Sequence, residues 1–299
     1  TPTFSSLGRD GVYLIRAKYF DTVTAISTLG GVDVARFEDS KGDDTFTAKP
    51  AYGEMAGPGY VTAAKGFDKL YAKATSGNDI ANLYDSAGND RFEATPTEAT
   101  FQVNGASYEV SRFDIVQAYA TAGGYDVAQL YDSAGNDTLE AGPTTTKLWN
   151  RSFQNIATGF DAVLAYAAAG GTDTAVLSDS AGDDLFIGKD QDARLYGSGF
   201  YLRARMFDRV FANAQVGGND TAKLLSTPDA EVVATDQSTS PTAGTYSLTS
   251  SQSSSQATSA SHITWLNEFE QLQVKNEETG NGSSSTSALD KIFEAFWEE

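Results

Sequence analysis

The chain has 299 residues, with 21 basic and 40 acidic side chains, a single His and no Cys, and it carries a net charge of −19. Such a charge argues against nucleic acid and anionic membrane surfaces as partners, because approach to phosphates adds repulsion where binders release counterions; cations are the natural small partners. The missing cysteines remove disulfides, thiolate nucleophiles and Cys-zinc sites together, and no apolar run reaches the roughly 18 residues of a membrane-spanning segment.

Thr1-Pro2-Thr3 matches Thr95-Pro96-Thr97, which lies part-way through a repeating unit, so further repeats are expected upstream in a longer parent. The unit shows in three columns. Phe20-Asp21, Phe67-Asp68, Phe113-Asp114, Phe160-Asp161 and Phe207-Asp208 are 47, 46, 47 and 47 residues apart. Asp33, Asp79, Asp126, Asp173 and Asp220 keep the same step, each after a Gly-rich turn. The third column is the turn Asp85-Ser86-Ala87-Gly88-Asn89-Asp90, repeated at 39–44, 132–137 and 179–184. Five tandem units thus fill residues 1–225.

Within a unit, runs such as Val116-Gln117-Ala118-Tyr119 and Ala128-Gln129-Leu130-Tyr131 alternate apolar with other residues between Gly, Asn and Asp. That period of two predicts short half-buried strands, about four per unit. Two architectures accept such units: an elongated parallel β-solenoid, or β-helix, and a β-propeller. The small residues at inward positions (Ala25, Ala35, Ala81, Ala128, Ala175) favour the narrow core of a solenoid.

The pattern decays beyond Asp220. Residues 226–279 read as an irregular Ser/Thr-rich loop followed by a degenerate capping unit, in which Phe269-Glu270 echoes the Phe-Asp pair. Residues 280–299 read as a Gly/Ser linker and a short amphipathic helix, with Leu289, Ile292, Phe293, Phe296 and Trp297 on one face and Ser287 as its N-cap. Docking on the cap and docking on another chain both suit that helix.

The Gly-Asn-Asp-x-apolar turns at 77–80, 88–92, 135–139 and 218–221 resemble the calcium-binding nonapeptides of the RTX, or haemolysin-type, family. The resemblance covers the turns alone. It implies Ca2+ as the cofactor and Asp79, Asp90, Asp137, Asp184 and Asp220 as candidate ligands. Electrostatics gives an independent reason for a cation: like Asp residues stacked about 4.8 Å apart would repel by roughly 3.5 kcal/mol at an effective dielectric of about 20. The metal-free alternative is that these side chains accept hydrogen bonds from turn N–H groups.

No site for catalysis stands out. His262 is the one histidine and lies outside the repeats, and no nucleophile elbow or phosphate loop is present. Tyr201, Arg203 and Arg205 form the best candidate ligand-binding cluster, because Arg203 and Arg205 alternate onto one strand face. These features predict an extracellular or cell-surface structural or adhesive module of a bacterial protein, calcium-stabilised and not an enzyme. Its expected partners are cations, together with cell-surface polysaccharide or copies of itself. The alternative is a carbohydrate-binding or polysaccharide-lyase module on a β-helix.

Overall fold

The computed structural model describes residues 4–9, 13–226, 230–234, 246–250, 262–269 and 271–276. Its architecture is all-β, with no helix among the described residues. Two long sheets, of 12 and 14 strands, pass the chain back and forth in stacked coils for about six turns, forming a β-solenoid. The predicted C-terminal helix lies outside the described residues.

A separate hairpin, β1 (Phe4–Arg9) and β2 (Tyr13–Lys18), opens the chain. Five strands per unit follow: β3 (Thr22–Ile26), β4 (Val34–Glu38), β5 (Thr45–Lys49), β6 (Tyr52–Gly57) and β7 (Tyr60–Lys65). The second unit supplies β8 (Lys69–Lys73), β9 (Ile80–Tyr84), β10 (Arg91–Ala94), β11 (Glu98–Val103) and β12 (Ala106–Ser111). The third supplies β13 (Ile115–Tyr119), β14 (Val127–Tyr131), β15 (Thr138–Ala141), β16 (Thr145–Trp149) and β17 (Gln154–Thr158). In the fourth are β18 (Ala162–Tyr166), β19 (Thr174–Ser178), β20 (Leu185–Lys189), β21 (Asp192–Gly197) and β22 (Phe200–Arg205). The last comprises β23 (Arg209–Asn213), β24 (Thr221–Ser226), β25 (Ala230–Ala234), β26 (Tyr246–Ser250) and β27 (His262–Asn267), and β28 (Gln271–Asn276) is the last strand among the described residues.

Five strands per unit, where the sequence period suggests four, come from a fold-back. The third, fourth and fifth strands of each unit form an antiparallel meander within one sheet, as in β10–β11–β12. The outer two meander strands pair in parallel with neighbouring coils, β10 with β14 and β12 with β8. The stack is therefore parallel with one antiparallel strand inserted per unit.

Each unit crosses between the sheets an odd number of times, so successive units are out of phase by half a coil. The meanders accordingly alternate: β5–β7, β15–β17 and β25–β27 lie in the 14-stranded sheet, and β10–β12 and β20–β22 in the 12-stranded one. The structural repeat is two sequence units.

Inward residues form one continuous core in which small and large side chains interdigitate. Ala81, Ala118, Ala128 and Ala175 leave room for phenylalanines. Phe113 and Phe160 of the Phe-Asp pairs, and Phe269 of the echoing Phe-Glu pair, pack on the Phe that opens a meander: Phe113 on Phe46 (centroids 6.3 Å apart), Phe160 on Phe92 (6.0 Å) and Phe269 on Phe186 (6.0 Å). Phe67, Phe113, Phe160 and Phe207 are buried, whereas Phe20, in the first described coil, is 67% exposed.

Candidate metal centre

From β3 to β24, each strand that enters a sheet at a coil corner is preceded by an Asp, and these Asp residues hold one another from coil to coil. The Asp44 N–H donates to Asp79 Oδ1 (2.8 Å) and the Asp79 N–H to Asp114 Oδ2 (2.8 Å). The same ladder recurs as Asp90 on Asp126 on Asp161 and as Asp137 on Asp173 on Asp208, with each N···O at 2.7–2.8 Å. Asp184 on Asp220 repeats its first rung (2.8 Å). Ladders in successive units cap strands of opposite sheets, so they line opposite edges of the solenoid.

The expectation of like Asp stacked on like is thereby corrected. Because neighbouring units are half a coil out of phase, a ladder joins three different columns of the repeat: the Phe-Asp residue, the Gly-turn residue and the last Asp of the Asp-Ser turn. The first rung is closed by the turn serine. Ser86 N–H and Oγ donate to Asp90 (2.7 and 2.9 Å), and the Gly88 N–H donates to Ser86 Oγ (3.2 Å).

A further carboxylate, the first Asp of the turn, caps the adjacent coil. Asp39 accepts from the Thr75 N–H, Asp85 from Ala122, Asp132 from Ala168 and Ala169, and Asp179 from Val216. Three carboxylates thus converge at each corner. At two corners, Asp39/Asp44/Asp79 and Asp132/Asp137/Asp173, one oxygen from each lies within 4.8 Å of the others. All of these but Asp39 are buried.

Backbone geometry makes space for this crowding. A Cβ on Gly57 would fall 1.6 Å from Asp44 Oδ1, and one on Gly197 would fall 1.7 Å from Asp184 Oδ1, so those carboxylates lie directly against the main chain where a side chain would be. The phenol of Tyr60 is buried beside Asp44, and its pKa is raised by burial first, then by Asp44, and further by Asp39 and Asp79. Tyr108 is placed likewise, raised by burial and then by Asp90 and Asp85.

Five of these carboxylates resist ionising. Burial pushes Asp126 up to about 7 and Asp173 up to about 6; the N–H bonds they accept act in the opposite direction, and neighbouring carboxylates add to the rise. Asp79, Asp85 and Asp132 are raised for the same leading reason. Such a corner can take up a proton or a hard cation with oxygen ligands.

Of the residues singled out from the sequence, Asp79 and Asp137 fall in the two tight groupings. Asp90, Asp184 and Asp220 hold the equivalent places at the other two corners. Sequence reasoning missed Asp39, Asp44, Asp132 and Asp173 as partners, although all four belong to repeating columns. Tyr201 and Arg203 lie elsewhere, on the outer face of the 12-stranded sheet. Tyr201 is 4% exposed and stacks on Tyr196 at 5.9 Å. Arg203 makes two 2.8 Å bonds to Asp192, which also binds Arg194. Arg205 ends the same strand.

Fold and corners together define an acidic β-solenoid with carboxylate-lined edges. Compared with protein-family models, with curated proteins and with solved structures, the chain matches none.

Proposed function

We propose that the chain is an extracellular structural or adhesive repeat module of a bacterial surface protein, its coils fastened to one another by calcium at the carboxylate corners. One observation carries the cation: three carboxylates from two adjacent coils, with oxygens within 4.8 Å of one another, recur in Asp39/Asp44/Asp79 and Asp132/Asp137/Asp173. The Tyr60 phenol, buried beside Asp44 of the first group, adds a neutral oxygen at this crowded anionic site. Calcium takes six to eight oxygen ligands, and extracellular modules bind it at about 10⁻⁴ to 10⁻³ M, so the millimolar calcium outside cells fills even weak corners. The net charge of −19 suits that setting, as does the absence of Cys.

The test is thermal melting against free calcium. Ligand that binds the folded stack alone stabilises it by about 2.7 kcal/mol at a hundredfold excess over Kd, so the Tm rises with calcium and falls back on chelation. Asp137→Asn with Asp173→Asn removes the part of that shift owed to their corner. A Tm indifferent to calcium and chelator refutes the reading.

A further inference from the structure

Outward side chains of this solenoid keep some contact with water, the polar Thr47, Asn82, Gln117, Thr100 and Glu109 and the apolar Ile156, Val176 and Phe211 alike. One area breaks this rule. On the outer face of β14, β18 and β22, Val127, Ala162, Leu164 and Tyr201 form a second hydrophobic cluster outside the core, with exposures of 5, 0, 3 and 4%. Gln129, in the same face, is 4% exposed. The described apolar side chains packed against this cluster are Tyr125, Tyr166 and Tyr196, which belong to the same face or its rim. Leu164 sits between Gln129 and Arg203 in the middle row of a sheet, where an outward side chain ordinarily keeps contact with water.

We propose that this face is a docking surface for the chain's own C-terminal segment, residues 287–299, which lies outside the described residues. Three features choose that occupant. Its apolar side chains Leu289, Ile292, Phe293, Phe296 and Trp297 recur at helical spacing and offer one hydrophobic stripe to match the cluster. Charge is complementary. Arg194 and Arg203 both bind Asp192 beside the cluster and Arg205 lies across from it in the strand register, whereas the segment carries Asp290, Glu294, Glu298 and Glu299 against Lys291. Reach is sufficient as well. β28 stands five sheet positions from β18, about 24 Å, and the 13 residue steps from Asn276 to Leu289 can span about 43 Å.

The test uses the full chain with Tyr166 replaced by the photo-crosslinker p-benzoylphenylalanine, which keeps an aromatic ring at that position. Normal and heavy-isotope-labelled proteins are mixed in equal amounts, irradiated and digested for mass spectrometry. The expected product joins the β18 peptide to a peptide from 287–299 of the same isotopic label. Crosslinks to the Ser-rich residues 236–261, crosslinks of mixed label that indicate a second copy, or no crosslink at all would each overturn the proposal. A second variant, Phe293→Asp with Phe296→Asp in the same background, alters no residue of the solenoid core. It loses the crosslink while the circular dichroism of the sheets is unchanged; a crosslink that persists also overturns the assignment.

Discussion

The residue before each Phe-Asp pair, and before the echoing Phe269-Glu270, carries the bend that sends the chain from one sheet to the other. Tyr19, Gly66, Arg112, Gly159, Met206 and Glu268 have φ of 62, 74, 62, 81, 64 and 64°, a left-handed kink repeated in every unit. Glycine takes this conformation freely, and other residues hold it at about 1–2 kcal/mol. Met206→Gly should therefore stabilise the protein by about 1 kcal/mol in urea denaturation, since Met206 is partly exposed and loses little packing. Gly159→Ala goes the other way, because its Cβ would fall 2.3 Å from the Ala120 carbonyl oxygen, and should cost more than about 2 kcal/mol. If the two substitutions shift stability in the same direction, strain at this bend is not what distinguishes them. The turn serines are a gentler probe: Ser86→Ala removes the hydroxyl that links Asp90 to the Gly88 N–H and should cost about 1–2 kcal/mol.

Among the elements, alternation made the individual strands legible. Leu130 and Val116 point inward and are buried, as their period-two patterns predict. Leu130→Asp should abolish the cooperative melt, because it buries an unpaired charge in a two-sheet core. The fold-back was less legible, because the meander strands carry the same alternation as the rest and differ from them in their connections. The available signal was the pair of turn residues Pro58-Gly59, Asn104-Gly105 and Ser198-Gly199, which separate strands by the two residues typical of a hairpin. The carboxylate corners were half legible. Sequence spacing identifies the columns, but which columns meet depends on the half-coil phase, and that follows from counting crossings. Hairpin turns project from the stack, so a four-residue Gly/Ser insertion between Ser198 and Gly199 should shift the Tm little, as nothing lies within 4 Å of a Cβ on Gly199. The same insertion between Gly217 and Gly218 should unfold the last coils, since Gly218 packs against the Gly182 carbonyl.

At the scale of the whole molecule, the corners make stability depend on pH in a direction opposite to ordinary acid denaturation. Asp126 and Asp173 have folded-state values of about 7 and 6 against 3.8 for the free side chain. Their contribution is fully present below about 3.8 and is lost as pH rises through 6 to 7. Metal-free protein should therefore melt higher at pH 5 than at pH 8. Under the proposed calcium reading the ion competes with the same protons, so any rise in Tm with calcium should be larger at pH 8 than at pH 5. Equal calcium shifts at the two pH values would separate the ion from these carboxylates.

The half-coil phase of the unit also gives the molecule a parity. Excising residues 115–161 joins Asp114 to Ala162, a junction the repeat tolerates because Asp114 and Asp161 are equivalent. The strand that follows, however, would take the place of β13 in the 14-stranded sheet instead of its own place as β18 in the other. Every later unit would then turn by half a revolution, and the Leu164 and Tyr201 face would look out from the opposite side. Gaining or losing two units lengthens such a rod and leaves its faces where they were, whereas an odd number moves everything downstream to the far side. Evolution by duplication in this protein therefore has two outcomes, and the evenness of the step decides between them.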